Sequence, residues 1–88
     1  MVWITKAEYI EEYLVWLAFN DGVEGVVDLR PVVFGDHRKL FKEIQDPSRF
    51  RKFKVAMDTV VWDNGLDLAP EFLRNLLSAS VEPRSAAH

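Results

Sequence analysis

The residues best equipped for chemistry are charged, and they cluster. Between Asp36 and Lys54 stand Arg38, Lys39, Lys42, Arg49, Arg51, Lys52 and Lys54, seven of the eleven basic residues, against three acids; this local +4 leaves −7 for the rest of the chain. Such a patch suits nucleic acid or the acidic face of a partner. The same charges also serve as the solvated side of a helix and the outer side of a strand, where Lys discourages edge-to-edge pairing. No RNA-binding signature, Gly-rich basic loop or recognition-helix pattern accompanies them, so the solvated face is the favoured reading. Asp58, Asp63 and Asp67, taken with His37, invite a metal or acid–base reading. Their spacing argues against it, because a calcium loop needs acids at alternate positions before a Gly and a closing Glu. His37 has no His or Cys nearby, whereas a catalytic zinc takes three protein ligands. The aspartates read instead as turn formers and helix caps. Ser48, Ser78, Ser80 and Ser85 lack the glycines of a nucleophile elbow, and there is no phosphate-binding loop or dinucleotide fingerprint. The expectation is no enzyme, no metal and no cofactor.

These residues need a scaffold, and the composition bounds it. A chain of 88 residues, 49% hydrophobic and 28% charged, is too apolar for disorder and too short for two cores. The expected organisation is one α+β domain over 1–77 with a loose tail over 78–88. With no cysteine there is no disulfide framework, and a net charge of −3 is not that of a polycation. No apolar run approaches the roughly 18 residues of a membrane span, and acids stand where a signal peptide has its apolar region. A cytoplasmic, membrane-free location is expected.

Tyr13 to Phe19 alternates Tyr13, Val15, Leu17 and Phe19 with Leu14, Trp16 and Ala18, so both faces are apolar; this predicts a central strand covered on both sides. Asp21-Gly22 marks a hairpin to a strand over Val23 to Leu29. Val2 to Ile10 supplies a preceding strand, with Glu11-Glu12 as the turn. Leu40, Phe41 and Ile44 share a helix face, with Asp36 as its cap. Asp46-Pro47-Ser48 predicts a single turn that places Phe50 inward. A strand over Phe53 to Met57 follows, with Phe53, Val55 and Met57 inward, then a strand over Val60 to Trp62 and a turn at Asp63-Asn64-Gly65. A helix from Pro70 to about Leu77 buries Phe72, Leu73, Leu76 and Leu77. The expected fold is thus β-β-β-α-β-β-α, an antiparallel sheet of about five strands packed against two helices. The three Trp and six Phe are expected to be core.

Phe19-Asn20-Asp21-Gly22, Val27-Asp28-Leu29, Phe50 with the strand Lys54-Val55-Ala56-Met57, and the run from Trp62 to Leu73 together resemble domain of unknown function family 2442. The family's closing signature is W-x-N/D-G-x-D-L-x-P-x-x-L, which maps here onto Trp62, Asn64, Gly65, Asp67, Leu68 and Pro70, with Leu73 as its last position. Arg74 departs from it, since many members carry Tyr there. The resemblance implies a small α+β fold without established enzyme activity. It also implies a toxin–antitoxin-like or regulatory pair, because members are often encoded beside domain of unknown function family 4160 and some are fused to a DNA-binding helix-turn-helix. Physically, Asn64-Gly65 fits a tight turn and Asp67 an N-terminal cap for the helix at Pro70.

The resulting expectation is a non-enzymatic protein-interaction module, antitoxin-like in a two-protein system, with a homodimer or a small partner encoded nearby. The N-terminal strand is the expected contact edge, with Trp3 or Tyr9 as anchors. The alternative is a nucleic-acid-binding module using the basic 38–54 segment.

Overall fold

The Asp21-Gly22 turn organises the first sheet. In the computed structural model, which describes residues 1–77, Gly22 takes φ +87° and the Asp21 carboxylate accepts the Val23 N–H at 3.1 Å. This closes β2 (Leu14–Phe19) onto β3 (Glu24–Asp28), while β1 (Ile4–Glu11) pairs with the other side of β2. The order β1-β2-β3 makes β2 central, as its sequence predicts. Only one of its faces joins the core, however. Val15, Leu17 and Phe19 lie in the core, whereas Leu14, Trp16 and Ala18 belong neither to the core cluster nor to the apolar residues packed against it.

Three short helices then cross the inner face of this sheet. The piece from Arg30 to Gly35 is helix α1; Pro31 sits in its first turn, where no N–H is needed. Helix α2 spans Lys39–Glu43 and buries Phe41, with Ile44 just beyond it, but Leu40 is 37% exposed. Arg38, not Asp36, holds the cap position of α2, and the Asp36 carboxylate accepts the Arg38 N–H at 2.9 Å ahead of the helix. Helix α3, Pro47–Phe50, is the expected single turn: Asp46 caps it through Ser48 N–H and Phe50 is fully buried.

The remaining strands do not extend the first sheet. β4 (Lys54–Ala56), β5 (Thr59–Val61) and β6 (Asp67–Leu68) form a second three-stranded antiparallel sheet, so the expected single sheet of five strands is replaced by two of three. The reason is local. Ala56 pairs with Thr59 across a two-residue turn in which Met57 and Asp58 both take positive φ, +52° and +70°. That conformation twists the hairpin tightly and leaves Val55 38% and Met57 93% exposed, so the expected inward alternation of Phe53, Val55 and Met57 fails. One backbone bond clasps the sheets together: the Ile4 N–H donates to the Asp58 carbonyl at 2.9 Å.

A fourth helix, α4, occupies 70–77 and returns over the inner face. It buries Leu73 and Leu77, while Phe72, expected in the buried stripe, is 41% exposed. Gly25 leaves room for it: a Cβ there would stand 2.7 Å from Leu77 Cδ1, so that side chain would have to shift. The expected tail over 78–88 lies outside the described residues. No helix among the described residues is long and apolar enough to cross a membrane.

One continuous apolar cluster joins the two sheets, with Phe50 at the junction. Its ring meets Tyr13 at 5.0 Å, Trp62 at 5.7 Å, Phe53 at 6.1 Å and Tyr9 at 6.2 Å between centroids. The buried Trp62 indole N–H donates to the Phe50 carbonyl at 2.8 Å. Trp62→Ala removes both ring and donor and is expected to destabilise by about 3–5 kcal/mol. Trp62→Phe keeps a ring but leaves that carbonyl without its donor, for a loss of about 1–3 kcal/mol. Urea denaturation measures both, and a midpoint near the parent's for Trp62→Ala would contradict the junction. At the hairpin tip the sign reverses: Met57→Asn places a residue that tolerates the left-handed region where Met is strained, and should raise stability by about 0.5–1 kcal/mol. Thermal melts would show this as a Tm increase of a few degrees.

Candidate functional site

Each residue of the Trp62-to-Pro70 motif has a structural partner. Trp62 closes the aromatic junction. The turn after it is held by Gly65, whose φ of +91° is strained for any side chain, and by the Asn64 side chain. Asn64 Oδ1 accepts the Leu66 N–H at 3.0 Å, while its amide donates to the Leu40 carbonyl at 3.2 Å and to Glu43 Oε1 at 2.9 Å. One side chain thereby fastens the turn to α2. Leu68 is buried in β6, and its carbonyl accepts the Thr59 hydroxyl. Asp67 is exposed in β6 opposite Val61, so it does not cap α4 as expected. Pro70 begins that helix. Arg74, where the family often has Tyr, pairs with Asp21 at 3.2 Å and ties α4 to the first hairpin turn.

The basic residues form no binding groove. Arg38, Lys39, Lys42, Arg49, Arg51, Lys52 and Lys54 are all exposed. Arg38 is held by Asp36 at 3.0 Å and lies over the Phe41 ring; Arg51 lies over Tyr9, with 5.2 Å to the centroid. Asp58, Asp63 and Asp67 occupy separate turn and strand positions. Among the described residues no three His, Cys, Asp or Glu side chains come together to hold a metal ion, and no cavity encloses a small ligand.

Of the two expected anchors, Tyr9 is turned inward and Trp3 stays exposed. Tyr9 points inward onto Phe50 and is partly buried, and the start of β1 is engaged: Trp3 N–H donates to Asn20 Oδ1 at 2.9 Å and Ile4 N–H to Asp58. Trp3 itself is 40% exposed, so of the three Trp only Trp62 is core.

The surface that sequence reasoning missed is the outer face of the first sheet. The register sets three rows across it: Lys6, Ala18 and Glu24; Glu8, Trp16 and Val26; Glu11, Leu14 and Asp28. A central apolar column of Leu14, Trp16 and Ala18 is thus flanked by carboxylates, and Val26 beside it is 45% exposed. The signal was present in the alternation of β3, where Glu24, Val26 and Asp28 share a face, but a doubly apolar β2 hid it.

Away from this face, three aspartates anchor turns. Asp46 titrates below the ordinary aspartate value of 3.8 because Ser48 hydrogen-bonds its carboxylate; Asp36 does so through Arg38, and Asp21 chiefly through the Val23 N–H and then Arg74. Since folding lowers these values, the stability they contribute is present above pH 3.8 and is lost as pH falls through the depressed folded values. Thermal melts should therefore be nearly flat in this contribution above that pH and fall below it. Asp46→Asn, whose amide oxygen still accepts the cap bonds, should show a shallower fall; an unchanged acid limb would contradict the assignment.

Comparison with known proteins finds one family. The model for "Protein of unknown function (DUF2442)" matches residues 4–78, which takes in both sheets and all the helices among the described residues. No curated protein and no solved structure matches. The Trp62-to-Pro70 signature and its neighbours are thus those of a known group, and the chain belongs to the DUF2442 family.

Proposed function

We propose that this chain is a non-enzymatic protein-interaction module whose contact surface is the outer face of the first sheet. The observation that carries this reading is Trp16: half-buried, it stands at the centre of a sheet face whose apolar column lies outside the core cluster. Monomeric proteins seldom leave an aromatic residue among contiguous apolar neighbours without a use for it. Tyr and Trp on rigid strands are efficient anchors, because large contact area is fixed at small entropic loss. The edge of β1 is a weaker candidate than the sequence alone suggested, since Ile4 is already bonded to Asp58 and Tyr9 is turned inward. The finer reading, an antitoxin-like member of a two-protein pair, draws on the gene neighbourhoods that the family resemblance implies.

The test is co-expression of the tagged chain with the product of the adjoining gene, followed by size exclusion with light scattering. A stoichiometric complex is the expected outcome. A chain that stays monomeric at about 100 μM and leaves its neighbour behind would overturn the reading. Binding of random duplex DNA that survives about 150 mM salt and is lost in Lys52→Glu/Lys54→Glu would move the function to nucleic acid.

A further inference from the structure

We infer that the outer face of the first sheet receives a basic amphipathic helix of the partner protein, an inference that rests on the interaction-module reading above. The face has a defined chemical pattern. Its centre is Leu14, Trp16 and Ala18 on β2; its borders are Glu8 and Glu11 on β1 and Glu24 and Asp28 on β3, with Lys6 the single basic residue in the three rows. Four carboxylates therefore surround one apolar column. Glu8, Glu11, Glu24 and Asp28 are exposed and join none of the ion pairs among the described residues. Among the described residues, Arg30, Arg74 and Arg38 pair with Glu12, Asp21 and Asp36, all of them off this face.

The complement of such a surface has an apolar stripe between two lines of Lys or Arg. Its dimensions suit a helix. Three strands spaced about 4.8 Å apart set the acidic borders about 10 Å from each other, close to the diameter of an α-helix with its side chains. An added strand is a poorer match: it would pair at the rim and leave Trp16 uncovered. A second copy of this chain is a poorer match as well, because its basic helix α2 is only the five residues Lys39–Glu43 and presents one exposed apolar residue, Leu40. Charge complementarity also guides approach, since a basic helix is drawn to this side of the molecule and repelled from the basic segment at 38–54.

The probe is a fluorescein-labelled synthetic helix of Leu, Lys and Arg, about fourteen residues long so that at 1.5 Å per residue it spans the roughly 20 Å of β2. A second probe has Glu in place of every Lys and Arg. Anisotropy with the full chain at about 50 mM salt should show binding of the basic helix and at least a tenfold weaker signal for the acidic one, with the difference narrowing at about 300 mM. Trp16→Thr, a substitution suited to a strand, should weaken binding about tenfold, and Glu8→Lys/Glu24→Lys should do the same at exposed positions that do not threaten folding. Asp63→Lys/Glu71→Lys, which changes net charge equally but elsewhere, should leave binding within about twofold. Equal binding by all variants would overturn the inference, as would a dimer of the chain alone that Trp16→Thr dissolves. The same variants in the co-expression experiment separate the two readings. A neighbour retained by both face variants defeats this inference and leaves the interaction module standing; a neighbour ignored by the parent chain defeats the module itself.

Discussion

The Trp62 indole N–H on the Phe50 carbonyl is the bond on which the architecture turns. Neither sheet has more than three strands, so neither builds a core of its own. Phe50 supplies the shared one: its ring touches Tyr9 and Tyr13 from the first sheet and Phe53 and Trp62 beside the second. The hydrogen bond fixes the indole at a 43° tilt to Phe50 and edge to face with Phe53, while Tyr9, Tyr13 and Phe53 meet Phe50 edge to face, the arrangement that aromatic quadrupoles favour. Phe50 in turn reaches this place because Asp46 caps a single helical turn started by Pro47. A four-residue helix has no stability of its own. It persists because both its ends and its buried face are fixed by neighbours.

The legible parts of this fold are those with a local chemical cause. Asp21-Gly22 announces its hairpin, and Asp46-Pro47 its turn, because each places a side-chain acceptor or a fixed φ where only one backbone path satisfies it. The misread parts depend on what lies at a distance. Val55 and Met57 alternate like an inward strand, yet the left-handed pair Met57 and Asp58 carries no Gly or Asn to reveal it. Strand β6 is two residues, too short for any periodicity, and exists because Val60 and Val61 offer it an edge. Asp67 resembles a cap by spacing but is held in that strand. The Trp62-to-Pro70 signature was visible as a pattern; that Asn64 serves to pin α2 required the turn and the helix to be seen side by side. The outer sheet face was hidden for a related reason. Alternation says which residues share a face of β2, and only packing says which face remains open.

The charges separate along the same division. The helical layer between Asp36 and Lys54 carries the excess of Lys and Arg, while the outer face of the first sheet carries Glu8, Glu11, Glu24 and Asp28. A net charge of −3 conceals this arrangement, which gives the molecule two sides of opposite sign. Unlike sides draw different encounters from solution, so the near-neutral sum says little about association.

The bond from Ile4 to the Asp58 carbonyl gives the molecule a topological seam. It joins the first strand to a hairpin far along the chain, so the first sheet, helices α1 to α3 and β4 lie inside the loop that it closes. Closing such a loop sacrifices chain entropy, although the penalty grows only with the logarithm of its length. Local hairpins recover their ordering entropy at once from neighbouring residues, whereas this seam gains little until the aromatic junction has brought both ends together. In a reversible excursion from the native state the same asymmetry makes the seam a natural place of first release. Amide exchange at Ile4 would then report the breathing of the entire ring rather than the fraying of a terminus.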